Sequence, residues 1–163
     1  MRSLVTVLVT VLAALVCLVW PAAAQSWRAG TIEIASAWAR ATPPGASVTA
    51  GYMRITNHGL DPDRLVSIRS AAAGSVEVQE LSLDDNVMRL RTLARGLPIG
   101  PGETIDLKPG YPWQAVFASL SGQLRPGDRL PATLVFEKAG AVEVELVVQP
   151  IGTGMRRASA GGG

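Results

Sequence analysis

Cysteine and histidine each occur once in the 163 residues, as Cys17 and His58. A lone thiol forms no disulfide within the chain, and single copies of the two residues supply neither a zinc finger nor a multi-histidine metal centre. Charge is also sparse: 15 Lys plus Arg against 13 Asp plus Glu leave a formal +2, too mild for a nucleic-acid footprint. Aromatic residues make up only 5% of the chain, so few are available to line a ligand face. No segment sustains the capped 3.6-residue period that a long helix needs. What the chain has is apolar bulk, 48% hydrophobic against 17% charged residues, which excludes general disorder and at this length suits one domain.

Behind Arg2, Ser3 to Trp20 form an apolar run, followed by Pro21-Ala22-Ala23-Ala24-Gln25 with small residues where a signal peptidase reads. Residues 1–24 are expected to be a secretory signal peptide cleaved after Ala24; left uncleaved, the run is just long enough to act as a membrane anchor. Cys17 follows Leu15-Val16 rather than a small residue, which does not suit lipidation. Cleavage leaves a cysteine-free protein whose stability must come from its core. The expected organisation is a domain over residues 25–149 and a disordered tail over 150–163, ending Met155-Arg156-Arg157-Ala158-Ser159-Ala160-Gly161-Gly162-Gly163. The expected location is the periplasm, with no membrane span after cleavage.

From Thr31 onward the apolar period is near two, interrupted every eight to twelve residues or so by Gly, Pro, Asn or Asp, an all-β pattern. Candidate strands are Ile32–Ala39, Val48–Thr56, Arg64–Ser70, Val76–Leu83, Val87–Leu93, Thr104–Leu107, Trp113–Leu120, Ala132–Glu137 and Val142–Val148. Two packed sheets or a closed barrel follow. In the hairpin around Asp84-Asp85-Asn86, pairing Leu83 with Met88 pairs Leu81 with Leu90 and Gln79 with Thr92. One face then carries Gln79, Leu81, Leu83, Met88 and Leu90, while Glu80, Ser82, Arg89 and Arg91 are expected on the solvent side. In the last hairpin Val142, Val144 and Leu146 are expected to point inward and Glu143 and Glu145 outward.

No enzymatic constellation is visible. His58 lies in the turn Thr56-Asn57-His58-Gly59 with no acid or nucleophile tied to it by spacing, and no G-x-S-x-G sequence marks a nucleophile. Asp84-Asp85 sits at a hairpin tip, where carboxylates serve turn geometry. Gly-rich phosphate loops are absent; Trp27, Trp38 and Trp113 could line a ligand face, but with so few aromatics a core role is the default. The protein is expected not to be an enzyme.

Several stretches resemble the periplasmic copper chaperone family of the PCu(A)C type. They are Ala37-Trp38-Ala39-Arg40-Ala41-Thr42-Pro43-Pro44-Gly45, Gly51-Tyr52-Met53-Arg54-Ile55-Thr56-Asn57-His58-Gly59, Asp63-Arg64-Leu65-Val66-Ser67, Leu107-Lys108-Pro109-Gly110 and Leu134-Val135-Phe136-Glu137-Lys138-Ala139-Gly140. The resemblance runs in order from Ile32 to Val148. It implies a cupredoxin-like, immunoglobulin-like β-sandwich of about eight or nine strands, and a family whose members hold Cu(I) through His and Met and pass it toward cytochrome oxidase assembly. Thioethers and imidazole suit that soft ion.

The family's copper motif is a His, ten residues, a Met, twenty-one residues, then His-x-Met. Laid on this chain from Gln79, it falls on Gln79, Leu90, Pro112 and Gln114; a one-residue adjustment around Tyr111-Pro112-Trp113 puts the last two ligands at Gln114 and Val116 instead. In both registers soft donors are replaced by an amide or apolar groups. The expectation is a degenerate copper site and no confident cofactor, leaving a binding or interaction module whose apolar patch is Leu81, Leu90 and Trp113. Its partner would be a periplasmic protein or a small apolar ligand. The alternative is a functional chaperone that delivers Cu(I) for cytochrome oxidase assembly on non-family donors such as Met53, Met88, Met155 and His58, or through a site shared with a partner. The scarcity of Cys and His thus excludes less than it first suggests, since this family builds its site from two His and two Met.

Overall fold

The computed structural model describes residues 25–84, 87–110 and 112–154. All its regular structure is β: β1 Ser26–Ala29, β2 Ile32–Arg40, β3 Val48–Asn57, β4 Asp63–Arg69, β5 Ala73–Asp84, β6 Val87–Thr92, β7 Leu97–Ile99, β8 Thr104–Leu107, β9 Trp113–Leu120, β10 Arg129–Phe136 and β11 Gly140–Gln149. No helix among the described residues is long and apolar enough to cross a membrane. The expected signal, residues 1–24, and residues 155–163 of the expected tail lie outside the described residues. Pro150 to Gly154 form a turn in which the Thr153 amide donates to the Pro150 carbonyl.

Each of the nine strands expected from the alternation is present, and two more join them. The added β1 is only four residues long and pairs with β2. The added β7 has Pro98 at its centre, which argues against a strand, yet it closes one end of the strand order, pairing only with β4, and there a missing N–H costs no ladder bond.

Pairing runs β6-β5-β9-β3-β2-β11-β10-β4-β7, with β1 beside β2 and β8 beside β3. All pairs are antiparallel except β11 with β2, where Val147 faces Trp38 and Gln149 faces Arg40. The ladder folds over on itself, because inward side chains of β5, β9 and β3 (Val78, Phe117, Ile55) share one core with those of β10, β11 and β4 (Leu134, Leu146, Ile68). Burial of each large side chain contributes about 1.5–3 kcal/mol. Gly51 of β3 makes room for this meeting: a Cβ there would lie 2.6 Å from a Phe117 ring carbon and 2.8 Å from a Leu146 methyl.

In β2 the alternation changes phase. Ile32 and Ile34 are buried, then Ala37 and Ala39; between them Ser36 takes φ 54° and the register to β3 shifts between Ala35 and Trp38. This β-bulge turns Trp38 away from the core. The core role expected of Trp38 is therefore corrected: its ring stacks on Tyr52, centroids 4.5 Å apart. Trp27 and Trp113 do pack, partly buried, against the core.

Candidate functional site

The hairpin β5–β6 has the register expected from its sequence, with Gln79 opposite Thr92, Leu81 opposite Leu90 and Leu83 opposite Met88. Its orientation differs from the expectation. β9 pairs on the other side of β5, with Val78 opposite Ala115 and Val76 opposite Phe117 on the buried face. The intervening residues therefore point outward, and Gln79 with Leu81 belongs to the solvent-facing side of the sheet. Glu80, expected on the solvent side, is instead on the inner-face side, opposite Trp113. It stays accessible because the hairpin projects past the core, and it pairs with Arg91 at 2.7 Å.

On the outer face, Gln79 is the direct partner of Gln114. Leu81 is the partner of Leu90, and its amide donates to the Pro112 carbonyl at 2.5 Å. Residues opposed in an antiparallel pair share a face, so Gln79, Leu90, Pro112 and Gln114, spread over 36 positions of sequence, converge on one patch across β6, β5 and β9. Val116, the last ligand position in the adjusted register, lies on the same face opposite Glu77. Trp113 does not join this patch: it is on the opposite face from Leu81 and Leu90.

The donor set here is hard. Two carboxamides meet side by side, and Glu77, two residues before Gln79, accepts from Thr92 Oγ1 at 2.8 Å and from Gln79 Nε2 at 3.3 Å. Around them the surface is apolar, with Leu90 60% and Met88 67% exposed. Amide and carboxylate oxygens suit hard ions and not Cu(I). Among the described residues, no group of three or more His, Cys, Asp and Glu is placed to hold a metal. Thr92 was expected opposite Gln79, whereas Glu77 carried no mark of its own in the sequence beyond the alternation that places it on the face of Gln79.

His58 is elsewhere. It follows β3 at the Asn57 end, whereas β9 pairs with the Val48–Gly51 end. Met88 is on β6, three strand spacings from β3 in the order β6-β5-β9-β3, about 14 Å, so it is not brought to the imidazole. Its Nε2 lies 3.0 Å from Glu33 Oε2, which also takes Arg28 at 2.8 Å. The hydrogen bond from His58, with the Arg28 charge and hydrogen bond, holds the Glu33 carboxyl below its ordinary pKa. Met53 is 2% exposed in the core and opposite Leu107, so it is no surface donor. Asp84 is opposite Val87 at the hairpin end; Asp85, Tyr111 and Met155 lie outside the described residues.

Comparison with known proteins agrees with this fold and adds a family. A solved structure, the copper-bound PCuAC domain from PmoF2, is 26% identical with a TM-score of 0.64, covering 77% of this chain and 98% of that one. The apo PmoF2 PCuAC domain is 25% identical with a TM-score of 0.67, covering 81% and 100%. The apo form of DR1885 from Deinococcus radiodurans, 23% identical with a TM-score of 0.57 over 80% of this chain and 87% of that one, shares the fold. A protein of Leifsonia xyli subsp. xyli described as "Putative lipoprotein Lxx21020" is 26% identical over 131 residues, 79% of this chain and 77% of its own length. The family model described as "Putative lipoprotein LpqE-like" matches residues 32–148, from the start of β2 to the penultimate residue of β11, and the chain accordingly belongs to the LpqE-like family, with the fold of a PCuAC-type domain.

Proposed function

We propose that this protein is an exported copper-chaperone-like binding module that does not carry Cu(I) at the position its relatives use, and that it is not an enzyme. The observation that supports this most is the convergence of Gln79, Leu90, Pro112 and Gln114 on one outer patch without a sulfur or imidazole among them. A Cu(I) site needs soft donors, and the patch offers amide oxygens and exposed aliphatic surface. Its partner is a polypeptide or small apolar ligand that uses the Leu81, Leu90 and Met88 surface. The rival reading, a working chaperone with Met88 and His58 as donors, is opposed by the three strand spacings between β6 and β3 and by the engagement of His58 with Glu33.

Titration of the exported protein with Cu(I) against a competing chelator tests the reading. The expected result is no withdrawal of copper from the chelator; tight one-to-one binding would falsify the proposal. If tight binding occurs and is lost in the Met88→Leu, His58→Ala double variant, the rival reading is the correct one.

The same reading includes processing. The apolar run of residues 3–20, the Ala22-Ala23-Ala24 segment and a relative described as a lipoprotein all fit export. Cleavage after Ala24 rather than lipidation at Cys17 is proposed, because Val16 before the cysteine is not small. The intact mass of the secreted protein checks it: an N-terminus at Gln25 is expected, and a diacylated Cys17 would overturn it.

A further inference from the structure

Arg40 is charged at every accessible pH and yet has no hydrogen bond or ion pair from its side chain among the described residues. Its Nε is buried without a partner. The guanidinium carbon lies 5.5 Å from the centroid of the Tyr52 ring, and Tyr52 is itself 2% exposed and stacked on Trp38. This stack is on the outer face, because the Ser36 bulge turns Trp38 and Arg40 away from the core. Tyr52 cannot serve as the counter-ion: burial raises the pKa of its hydroxyl, so the ring stays neutral and offers only its π face.

The surroundings supply hydrogen-bonding capacity, and the acids near them are engaged elsewhere: Asp128, whose carbonyl accepts from the Val148 amide, takes the Arg125 amide on its Oδ2 at 2.7 Å. Gln149, the partner of Arg40 across the parallel pair, is half-buried and its amide makes no hydrogen bond among the described residues. On the outer side of β11 the nearest acid, Glu145, is paired with Arg129 at 2.8 Å. Beyond Arg40, across β3 and β9, the Ala50–Val116 and Val116–Glu77 pairs lead to Glu77. That carboxylate is three strand spacings away, about 14 Å, and is taken by Thr92 and Gln79. A partly desolvated guanidinium with a free amide beside it and no counter-charge is an unusual feature that requires a reason.

We infer that Arg40, with Gln149 and the Trp38–Tyr52 stack, forms a binding site for a carboxylate presented by an acidic side chain of a partner polypeptide. The buried Nε cannot be hydrated, so an anion at the terminal nitrogens neutralises a delocalised cation that water solvates only from one side. Two carboxylate oxygens match the guanidinium fork, and the flanking ring stack fixes its orientation. A single guanidinium fork beside a neutral amide favours a monoanion over a phosphate dianion. A polypeptide fits because the sheet surface next to Arg40 is low and continuous, floored by Ala50 and Val116 and leading to the paired amides of Gln79 and Gln114. The site is independent of whether copper is carried elsewhere on the protein.

The test is an NMR titration of the copper-free secreted protein with an amidated hexapeptide alternating glutamate and alanine, and with its glutamine counterpart. The glutamate peptide is expected to give a saturable shift of the Arg40 Nε–H and Trp38 indole signals, and the glutamine peptide none. Binding is expected to weaken at least tenfold in Arg40→Gln and severalfold in Gln149→Ala, the second variant leaving the aromatic stack in place. Equal response to both peptides, unchanged affinity in a folded Arg40→Gln or in Gln149→Ala, or displacement of the peptide by an equal concentration of inorganic phosphate would each overturn the assignment.

Discussion

Gln79 and Gln114 face each other across β5 and β9, two carboxamides brought side by side on the outer face of the sheet. Leu90 and Pro112 flank the pair through Leu81 on the same face. In the proposed reading these are the positions of the relatives' copper donors, filled here by side chains without a soft donor atom.

Restoring the donors is therefore expected to restore the chemistry. The quadruple variant Gln79→His, Leu90→Met, Pro112→His, Gln114→Met is predicted to take Cu(I) one-to-one from a chelator that the unmodified protein cannot compete with. Competition titration reads this directly. A folded quadruple variant that still fails to bind would show that the four positions do not converge closely enough to chelate.

The outer patch contributes little to stability. Leu90 and Met88 are 60% and 67% exposed, so Leu90→Gln and Met88→Gln should each change unfolding free energy by no more than about 0.5 kcal/mol. Leu134, with no exposed surface, should cost about 2–5 kcal/mol as Leu134→Ala. Urea denaturation of the three variants compares them, and a Leu90→Gln cost resembling that of Leu134→Ala would place the hairpin face in the core after all.

Asp63 couples stability to pH. Burial raises its carboxyl pKa, but the amides of Lys138, Arg64 and Ala139 and the Lys138 charge outweigh this, leaving it below the ordinary 3.8. Both carboxylate oxygens are used, Oδ1 accepting from Arg64 and Lys138 and Oδ2 from Ala139, which ties the start of β4 to the β10–β11 turn. A depressed folded pKa means that the contribution is complete above the unfolded value and is lost as pH falls through the folded one. Asp63→Asn is predicted to cost about 1–3 kcal/mol at neutral pH, with the difference from the unmodified protein shrinking below about pH 4. Denaturation at several pH values checks it; a difference constant down to pH 2 would count against a charged Asp63.

Gly51 is expected to tolerate no side chain at ordinary cost. A methyl there would press on Phe117 and Leu146, so Gly51→Ala should destabilise by about 1–3 kcal/mol. Adding Phe117→Leu should make the combined loss smaller than the sum of the two single losses, because the smaller side chain relieves the contact. Additive losses in thermal denaturation would contradict this packing.

Much of the fold was legible in the alternation of apolar and polar residues, since a half-buried strand needs a period of two and the turn residues between strands are chemically distinctive. That sufficed for nine strands and the Leu81–Leu90 register. The four-residue β1 and the proline-centred β7 fell below what alternation can mark, because pairing partners rather than local pattern hold them in the sheet.

The sequence by itself determined which side chains stand at the spacing of the motif: Gln79, Leu90, Pro112 and Gln114, none of them a thioether, thiol or imidazole. Only the tertiary structure decided where those positions lie. The same hairpin pattern fits either face, and it is the pairing of Val78 with Ala115 that turns Gln79 and Leu81 outward. Likewise the left-handed backbone at Ser36 reverses the facing of Trp38 and Arg40, and the strand order puts three spacings between Met88 and the strand that His58 follows. Each is a consequence of partners distant in sequence, which local periodicity does not encode.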